Sequence, residues 1–411
     1  MMSKSDASRE MRKVNLDPDR VRGNLSRFIS KIGKDWTDNE IQQIRPLIER
    51  KGPVDVERIQ KKHPLGFLIY SGNDFLTHLF NDEMPPRYEE YLRIACLSHC
   101  MVALIDAGTQ GILDRLETLK KHNDALFEKA EYEIQVGYWY VVSNHSIEFL
   151  QPSFEDSHRT PDILVDGMIE VECKRKDSFS GSDLAIMRSF AAVIRGCTRT
   201  MEKTGRNYAV ILESDTGMDT VNVDAVLDLS QKVIEEGRSG VFCINKRGLR
   251  LRLELLSNGD EPLADDKIKF SVCGNPDYGQ IAVSHRPGSD GKPVFYKPRC
   301  FAIKDPKVKE RIDSILNSIE DARTQLSGER PGILYVDLNK TDRQFDSGDF
   351  TTLESRIAER LHKSSRISAV VLTKDVLSRR LAEFTIGYKS RVIMNTTPSH
   401  SLPDGYFPLG T

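Results

Sequence analysis

No stretch of this chain approaches the roughly 18–20 consecutive apolar residues that a membrane-spanning helix needs. The opening segment, MMSKSDASREMRKVNLDPDR, is charged and lacks the apolar centre of a signal peptide. A cytoplasmic protein with no membrane partner is therefore expected. Cysteine is sparse: the seven, at 96, 100, 173, 197, 243, 273 and 300, form no Cys-x-x-Cys pair. Neither a cysteine-zinc site nor a disulfide framework is suggested. Cys96 and Cys100, one helical turn apart around His99, read as small buried residues. A Gly-x-Ser-x-Gly elbow is missing and the Ser and His residues are dispersed, which argues against a hydrolase triad. The turn Gly288-Ser-Asp-Gly-Lys292 lacks the first glycine of a phosphate loop, and Pro293 stands where Ser or Thr would hold Mg²⁺. Net charge is nearly absent too, with 59 Lys and Arg against 61 Asp and Glu and a pI near 6.5. A constitutive nucleic-acid binder is usually basic, so any such contact here must come from local patches.

What is present is a 411-residue chain, 39% hydrophobic and 29% charged, long enough for two or three domains. Residues 1–30 are polar and read as a flexible arm. Residues 31–121 carry apolar positions at helical spacing (Ile41, Ile44, Leu47, Ile48, then Phe75, Leu76, Leu79, Phe80), punctuated by prolines, and are expected to form a helical N-terminal domain. Over 122–215 the pattern becomes helix 124–141, strands 146–151, 162–166 and 168–174, helix 182–203 and strand 208–214, a mixed α/β unit. Residues 216–300 read as a β-rich insertion or subdomain, with strand-like pieces at Val241–Asn245, Lys267–Val272 and Gln280–Ser284. Residues 301–411 supply further α/β elements: helix 306–326, strand Ile333–Asp337, helix 351–363 and strands Ile367–Leu372 and Arg391–Asn395. Helix 306–326 and strand 333–337 offer an alternative completion of the central unit, with 180–300 inserted.

The segment richest in chemistry is Pro161-Asp162-Ile-Leu-Val-Asp-Gly-Met-Ile-Glu170-Val-Glu172-Cys-Lys174. It reads as two strands joined near Asp166-Gly167. In the second strand Ile169, Val171 and Cys173 alternate with Glu170, Glu172 and Lys174, an apolar back and a charged front. A two-residue Asp166-Gly167 turn would pair Asp162 with Val171, on the wrong face. A three-residue turn, Val165-Asp166-Gly167 with the glycine left-handed, pairs Asp162 with Glu170 and sets it diagonal to Glu172 on one face. Two carboxylates and an ammonium there suit phosphodiester hydrolysis. Asp162 and Glu172 can hold Mg²⁺ (or Mn²⁺), with the Cys173 carbonyl as a further ligand. Lys174 then orients the attacking water and stabilises developing negative charge.

Pro161, Asp162, Glu172 and Lys174, set in an α-β-β-β-α-β order, resemble the PD-(D/E)xK nuclease superfamily over about a quarter of the chain. The resemblance implies a mixed-sheet restriction-endonuclease-like core, an α/β (α+β) fold with the helical N-terminal region and C-terminal elements added to it. It also implies metal-dependent cleavage of nucleic acid, with DNA favoured and RNA left open as substrate, by an endonuclease of restriction, defence or repair, with a homodimer or a partner protein of a defence system as possible assemblies. Members often add a glutamate from the helix before the first strand. Among Glu128, Glu131 and Glu133, the last shares a stripe with Leu126, Ala130 and Gly137, a face expected to meet the sheet, whereas Glu128 fits a solvated position.

Arg188, Arg195 and Arg199 form a row on helix 182–203 that could follow a phosphate backbone, or could simply be a solvated face. Two further basic clusters run from Lys246 to Arg252 and from Lys292 to Arg311. His158 precedes the Pro-Asp pair and reads as a loop histidine. The rival expectation is a catalytically inactive nuclease fold that binds nucleic acid or another protein.

Overall fold

The computed structural model of the chain describes residues 9–10, 14–49, 59–78, 88–151, 160–175, 181–213, 223–244, 249–259, 278–287, 293–304, 308–338, 347–380 and 383–407. They form a mixed α/β protein with two mixed sheets, divided into two compact units. The first unit comprises Met1–Lys176, Ile315–Asn339 and Thr351–Thr411, and the second Asp177–Ser314 and Lys340–Phe350. No helix among the described residues is long and apolar enough to cross a membrane.

The first unit opens with strands β1 (Arg9–Glu10) and β2 (Val14–Leu16), then helices α1 (Pro18–Ile32), α2 (Lys34–Glu49), α3 (Pro64–His78), α4 (Tyr88–Asp106), α5 (Ile112–Leu119) and α6 (Asp124–Val142). Strands β3 (Ile147–Phe149), β4 (Ile163–Val165) and β5 (Ile169–Arg175) follow. After the second unit, α9 (Val308–Arg323) leads into β11 (Gly332–Asp337), and α10 (Ser347–His362) into β12 (Ala369–Arg380) and β13 (Glu383–Met394). The sheet order is β1-β13-β12-β11-β5-β4-β3, with β2 also on β13. β3, β4 and β5 are antiparallel neighbours, whereas β5, β11 and β12 run parallel.

The second unit holds α7 (Gly181–Thr204), β6 (Arg206–Glu213), α8 (Val223–Glu236), β7 (Gly240–Cys243), β8 (Arg250–Asn258), β9 (Tyr278–Pro287) and β10 (Pro293–Lys304). Its strands form a sheet of their own, β7-β8-β6-β10-β9, over a core of Val193, Met201, Tyr208, Val226 and Phe301. The expected core span 122–215 is thus divided. β5 takes β11 as its parallel neighbour and β6 joins the other sheet, in the unit formed by Asp177–Ser314 and Lys340–Phe350. Local pattern did not decide this, because strands 206–213 and 332–337 are both apolar runs able to sit inside a parallel sheet.

Three further expectations change. Residues 1–30 are not all an arm: α1 begins at Pro18 behind the Asp17 N-cap, and Val21, Leu25, Phe28 and Ile32 bury its stripe. That i, i+4, i+7 pattern is interrupted by enough charge to pass for a solvated segment. The stretch 216–300, read as β-rich, also contains helix α8, and strand β8 lies outside the three expected pieces; Val226, Val233, Leu251 and Leu253 supply their buried positions. Cys300 on β10 is disulfide-bonded, contrary to the expectation from scattered cysteines; Cys96, Cys100, Cys173, Cys197 and Cys243 are free. The expected strand Lys267–Val272 lies outside the described residues.

Helix α6 organises the first core. Residues from Phe127 to Tyr140 are buried almost without break, so the helix is enclosed on most faces. Gly137 makes this closeness possible, since a Cβ there would sit 2.6 Å from the Phe149 ring and 2.8 Å from Ile147. The Tyr335 hydroxyl on β11 donates to the Tyr140 hydroxyl at 3.1 Å, and Tyr132 bonds Thr373 on β12 at 2.7 Å. Glu131, fully buried, accepts Arg93 Nη2 at 2.6 Å and also pairs with Arg175, which in turn donates to Asp337 at 2.7 Å. Burial alone would raise the Glu131 pKa. The Arg93 and Arg175 guanidiniums outweigh burial and hold it at about 2.

Because that folded pKa is depressed, the stabilisation from Glu131 is complete above about pH 4.5 and is lost as pH falls towards 2. Replacing Glu131 by Ala leaves two guanidiniums in the core short of a counter-charge. The expected cost is about 3–5 kcal/mol in urea-induced unfolding at neutral pH. A loss below about 1 kcal/mol, the range of an exposed pair, would show that the cluster carries little stability.

Candidate active site

The β4–β5 hairpin sets the candidate catalytic side chains by register. Ile163 pairs with Val171, Leu164 with Glu170 and Val165 with Ile169, leaving Asp166, Gly167 and Met168 as the loop. Asp166 and Gly167 are both left-handed, at φ 49 and 68, and Met168 N–H closes the turn on Val165 O at 2.9 Å. The expected Val165-Asp166-Gly167 turn is therefore corrected by one position along the chain, which moves the register by two. Continued one residue outwards, this register sets Asp162 across from Glu172 rather than Glu170. A shift of two keeps every side chain on its face, so Asp162, Glu172 and Lys174 still share one side. Ile163, Val165, Ile169, Val171 and Cys173 line the other, all 1% exposed or less.

Backbone contacts hold Asp162 at the end of β4. The Cys173 N–H donates to Asp162 Oδ2 at 2.8 Å, so Cys173 serves the site through its backbone while its thiol is buried. Burial, then the Asp162 charge, pushes that thiol well above its ordinary pKa, which makes it inert. Arg115 on α5 donates to the carbonyls of Leu150 and Asp162 at 2.9 and 3.3 Å, clamping the entry to the strand. Lys174 Nζ stands 2.7 Å from Glu172 Oε1 and donates to Gln325 Oε1, in the segment after α9.

Glu133 joins this group from α6. It is 2% exposed, with Oε2 at 2.5 Å from Arg115 Nε and Oε1 at 3.5 Å from Lys129 Nζ. Lys129 also lies 3.0 Å from Asp162 Oδ1 and so bridges the two carboxylates, with its side chain 45% exposed. The stripe used to choose Glu133 is only partly right, because Leu126 is exposed. Glu128 is buried as well, 3.6 Å from Arg93, rather than solvated. On a helix enclosed this fully, apolar spacing separates the glutamates poorly; their partners separate them, Glu131 facing arginines and Glu133 facing Asp162.

Sequence reasoning missed Lys129, Arg115 and Gln325. Lys129 could have been found from its i, i+4 relation to Glu133. Nothing local pointed to Arg115 or Gln325, since their neighbours are distant in the chain. Of the basic row, Arg195 and Arg199 are exposed on α7 in the second unit, while the side chain of Arg188 lies outside the described residues, as does His158. In the other clusters Arg252 pairs with Glu254 at 3.1 Å and Arg299 with Glu202 at 3.1 Å, which reduces the free positive charge there.

Three carboxylates, Asp162, Glu172 and Glu133, face three cations, Arg115, Lys129 and Lys174. Glu172 is wholly buried, and neither carboxylate oxygen accepts a well-directed hydrogen bond among the described residues, despite the nearby Lys174 ammonium. Burial, then the Asp162 charge, pushes both Glu172 and Glu133 up to about 8. Lys174 opposes the rise for Glu172, and Arg115 and Lys129 oppose it for Glu133. Lys129 is raised above the ordinary lysine value: burial opposes the charge, but Asp162 and then Glu133 outweigh burial. Asp162, Glu172 and Glu133 thus form an all-oxygen donor set in which the Glu172 oxygens accept no hydrogen bond among the described residues, which suits a hard divalent cation. No protein-family model and no curated protein matches the chain.

Two carboxyls with raised folded pKa values bind protons that the unfolded chain releases above about pH 4.5. Without a cation, stability should therefore fall as pH rises from about 4.5 to about 8. In chelator, the melting midpoint is expected to drop across this interval. Glu172→Gln should remove part of the drop, and an added divalent cation should offset it most at the alkaline end. A midpoint in wild type that does not change with pH would contradict the assigned charge states.

Proposed function

We propose that this chain is a divalent-metal-dependent nuclease with a PD-(D/E)xK active site on a restriction-endonuclease-like core. The observation that carries the reading is the convergence of buried Asp162, Glu172 and Glu133, from two paired strands and a preceding helix, beside Lys174. Topology adds support. Helix α6, the antiparallel run β3-β4-β5 and the parallel addition of β11 after α9 make an α-β-β-β-α-β unit once the second unit is set aside as an insertion.

Asp162, Glu172 and Glu133 would hold Mg²⁺ (or Mn²⁺). When bound, the ion supplies Lewis-acid polarisation of a phosphoryl oxygen and a lowered pKa for a water. Lys174 has its stem fixed on β5 and its ammonium directed by Glu172 and Gln325. From there it donates to the attacking water or to the phosphoryl oxygen and offsets charge developing in the transition state. Arg115 holds the backbone of Asp162 and the carboxylate of Glu133, fixing two of the three acids at once. Lys129 occupies part of the cation's electrostatic role in the free protein, and its half-exposed side chain can leave towards solvent when the ion enters. Arg195 and Arg199 are candidate phosphate contacts. DNA is the favoured substrate, cut by an endonuclease of restriction, defence or repair, acting as a homodimer or with a partner protein of a defence system.

The Lys129–Asp162 ion pair is the one feature that favours the rival, a non-catalytic nuclease fold in which a lysine replaces the metal. Supercoiled plasmid, linear duplex and single-stranded RNA, each with Mg²⁺, Mn²⁺ or EDTA, separate the two. Metal-dependent cleavage is expected, reduced by at least about 10²-fold in Asp162→Ala and in Lys174→Ala, with both variants folded by circular dichroism. Cleavage unaffected by either substitution would remove the site from the reaction. Binding without cleavage under every metal condition would favour the rival.

A further inference from the structure

Away from the carboxylate site, the helical part of the first unit contains a second group of metal-type ligands. Glu40 on α2, His63 immediately before α3 and His122 in the turn between α5 and α6 bring one carboxylate and two imidazoles together. Glu40 Oε2 is 3.0 Å from His63 Nδ1, and Glu40 Oε1 is 2.8 Å from His122 Nε2. The three ligand atoms lie within 4.8 Å of one another, and the two imidazole rings are tilted by 59° with centroids 4.6 Å apart.

Glu40 and His63 are each 3% exposed, whereas His122 keeps 44% of its side-chain surface. A carboxylate this deeply buried needs a counter-charge or several donors, and both its oxygens are directed at imidazoles. Gly66, one turn into α3, makes room for it: a Cβ there would meet Glu40 Oε2 at 2.9 Å and Ile44 Cδ1 at 2.8 Å. A side chain at that position would crowd the carboxylate.

We propose that Glu40, His63 and His122 bind a zinc-type divalent ion, with a fourth position on the solvent side next to His122. Zn–N and Zn–O bonds of about 2.0–2.2 Å imply ligand atoms roughly 3.2–3.6 Å apart. The present contacts reach that spacing with small side-chain rotations. Two imidazoles and one carboxylate suit Zn²⁺, Co²⁺ or Ni²⁺ and discriminate against Mg²⁺, which takes oxygen ligands. The ion would be chemically distinct from the one proposed at Asp162 and Glu172. Its structural effect follows from the three segments it joins. It ties α2 and the start of α3 to the turn that launches α6, the helix bearing Lys129 and Glu133. It would act as a clamp on that helix and takes no part in bond cleavage.

The test uses the full chain, loaded with Zn²⁺ in the presence of millimolar Mg²⁺ and dialysed against metal-free buffer. Retained zinc is then measured, and the coordination is followed by the visible absorption of the Co²⁺ form. One equivalent per chain is expected, with a Co²⁺ spectrum of a low-coordinate nitrogen and oxygen site and a zinc-dependent rise in melting midpoint. His122→Ala, at a half-exposed turn position that should leave folding intact, should weaken retention by roughly tenfold or more and abolish the rise. Asp162→Ala should retain zinc as wild type does. Equal retention by wild type and His122→Ala, no retention by wild type, or loss of retention in Asp162→Ala would each overturn the proposal.

Discussion

Carboxylates removed from water around one short hairpin set the terms for the rest of the first unit. A buried carboxylate must be paired with positive charge, supplied with donors or protonated. Helix α6 presents two of these outcomes on one element. Glu131 meets two guanidiniums, whose planar donors satisfy both its oxygens, and it stays ionised even in acid. Glu133, two residues further along and so roughly 200° around the helix, meets Asp162 and shares Arg115 and Lys129 with it. There burial, and then the Asp162 charge, outweighs those two cations, and the proton affinity rises instead. The first arrangement is structural. The second holds electrostatic strain that a cation would relieve, and such clusters are where functional sites concentrate.

Sheet order explains how a site of this kind survives a large insertion. β5 lies inside the sheet, antiparallel to β4 on one side and parallel to β11 on the other. Its candidate functional face is therefore built by a hairpin formed locally and a strand that returns only after the second unit. Gln325, Ser327 and Pro331, in the segment leading into β11, contact Lys174, the Glu170 carboxylate and the Glu170 N–H respectively. The inserted residues close their own sheet over their own core. The described partners of Asp162, Glu172 and Lys174 belong to the first unit.

The helices before the sheet have a comparable positioning role. Arg115 on α5 reaches the backbone of Asp162, and the approach of the α5 lead-in to β3 is close enough that a Cβ on Gly111 would fall 2.2 Å from the Phe149 carbonyl oxygen. Glu40, His63 and His122 gather where the turn into α6 begins. α6 is thus held at its start by polar contacts, along its length by tyrosines bonded to β11 and β12, and on one side by Arg115. A helix fixed at so many points can present Glu133 to Asp162 with little freedom, which is what a preorganised site requires.

Much of the hairpin was legible from the residues in order. Alternation of Ile169, Val171 and Cys173 with Glu170, Glu172 and Lys174 identified the faces because strand side chains repeat every two residues. The same arithmetic protected the grouping of Asp162 with Glu172 when the turn proved to be Asp166-Gly167-Met168, since a shift of two changes the partner and preserves the side. Helix and strand positions for α6, α7, β3 to β6 and β11 likewise followed from local periodicity. Tertiary structure alone decided which strand would stand beside β5, because 206–213 and 332–337 are equally apolar and pairing depends on contacts far apart in the chain. It also decided which glutamate of α6 would face Asp162, because a helix buried on nearly every side has no single stripe to read. Arg115, Gln325 and the Glu40–His63–His122 group became visible only once segments distant in sequence were brought within a few ångströms. Local pattern therefore determined what each element is and which way it faces, while long-range packing determined which charges are left to balance one another.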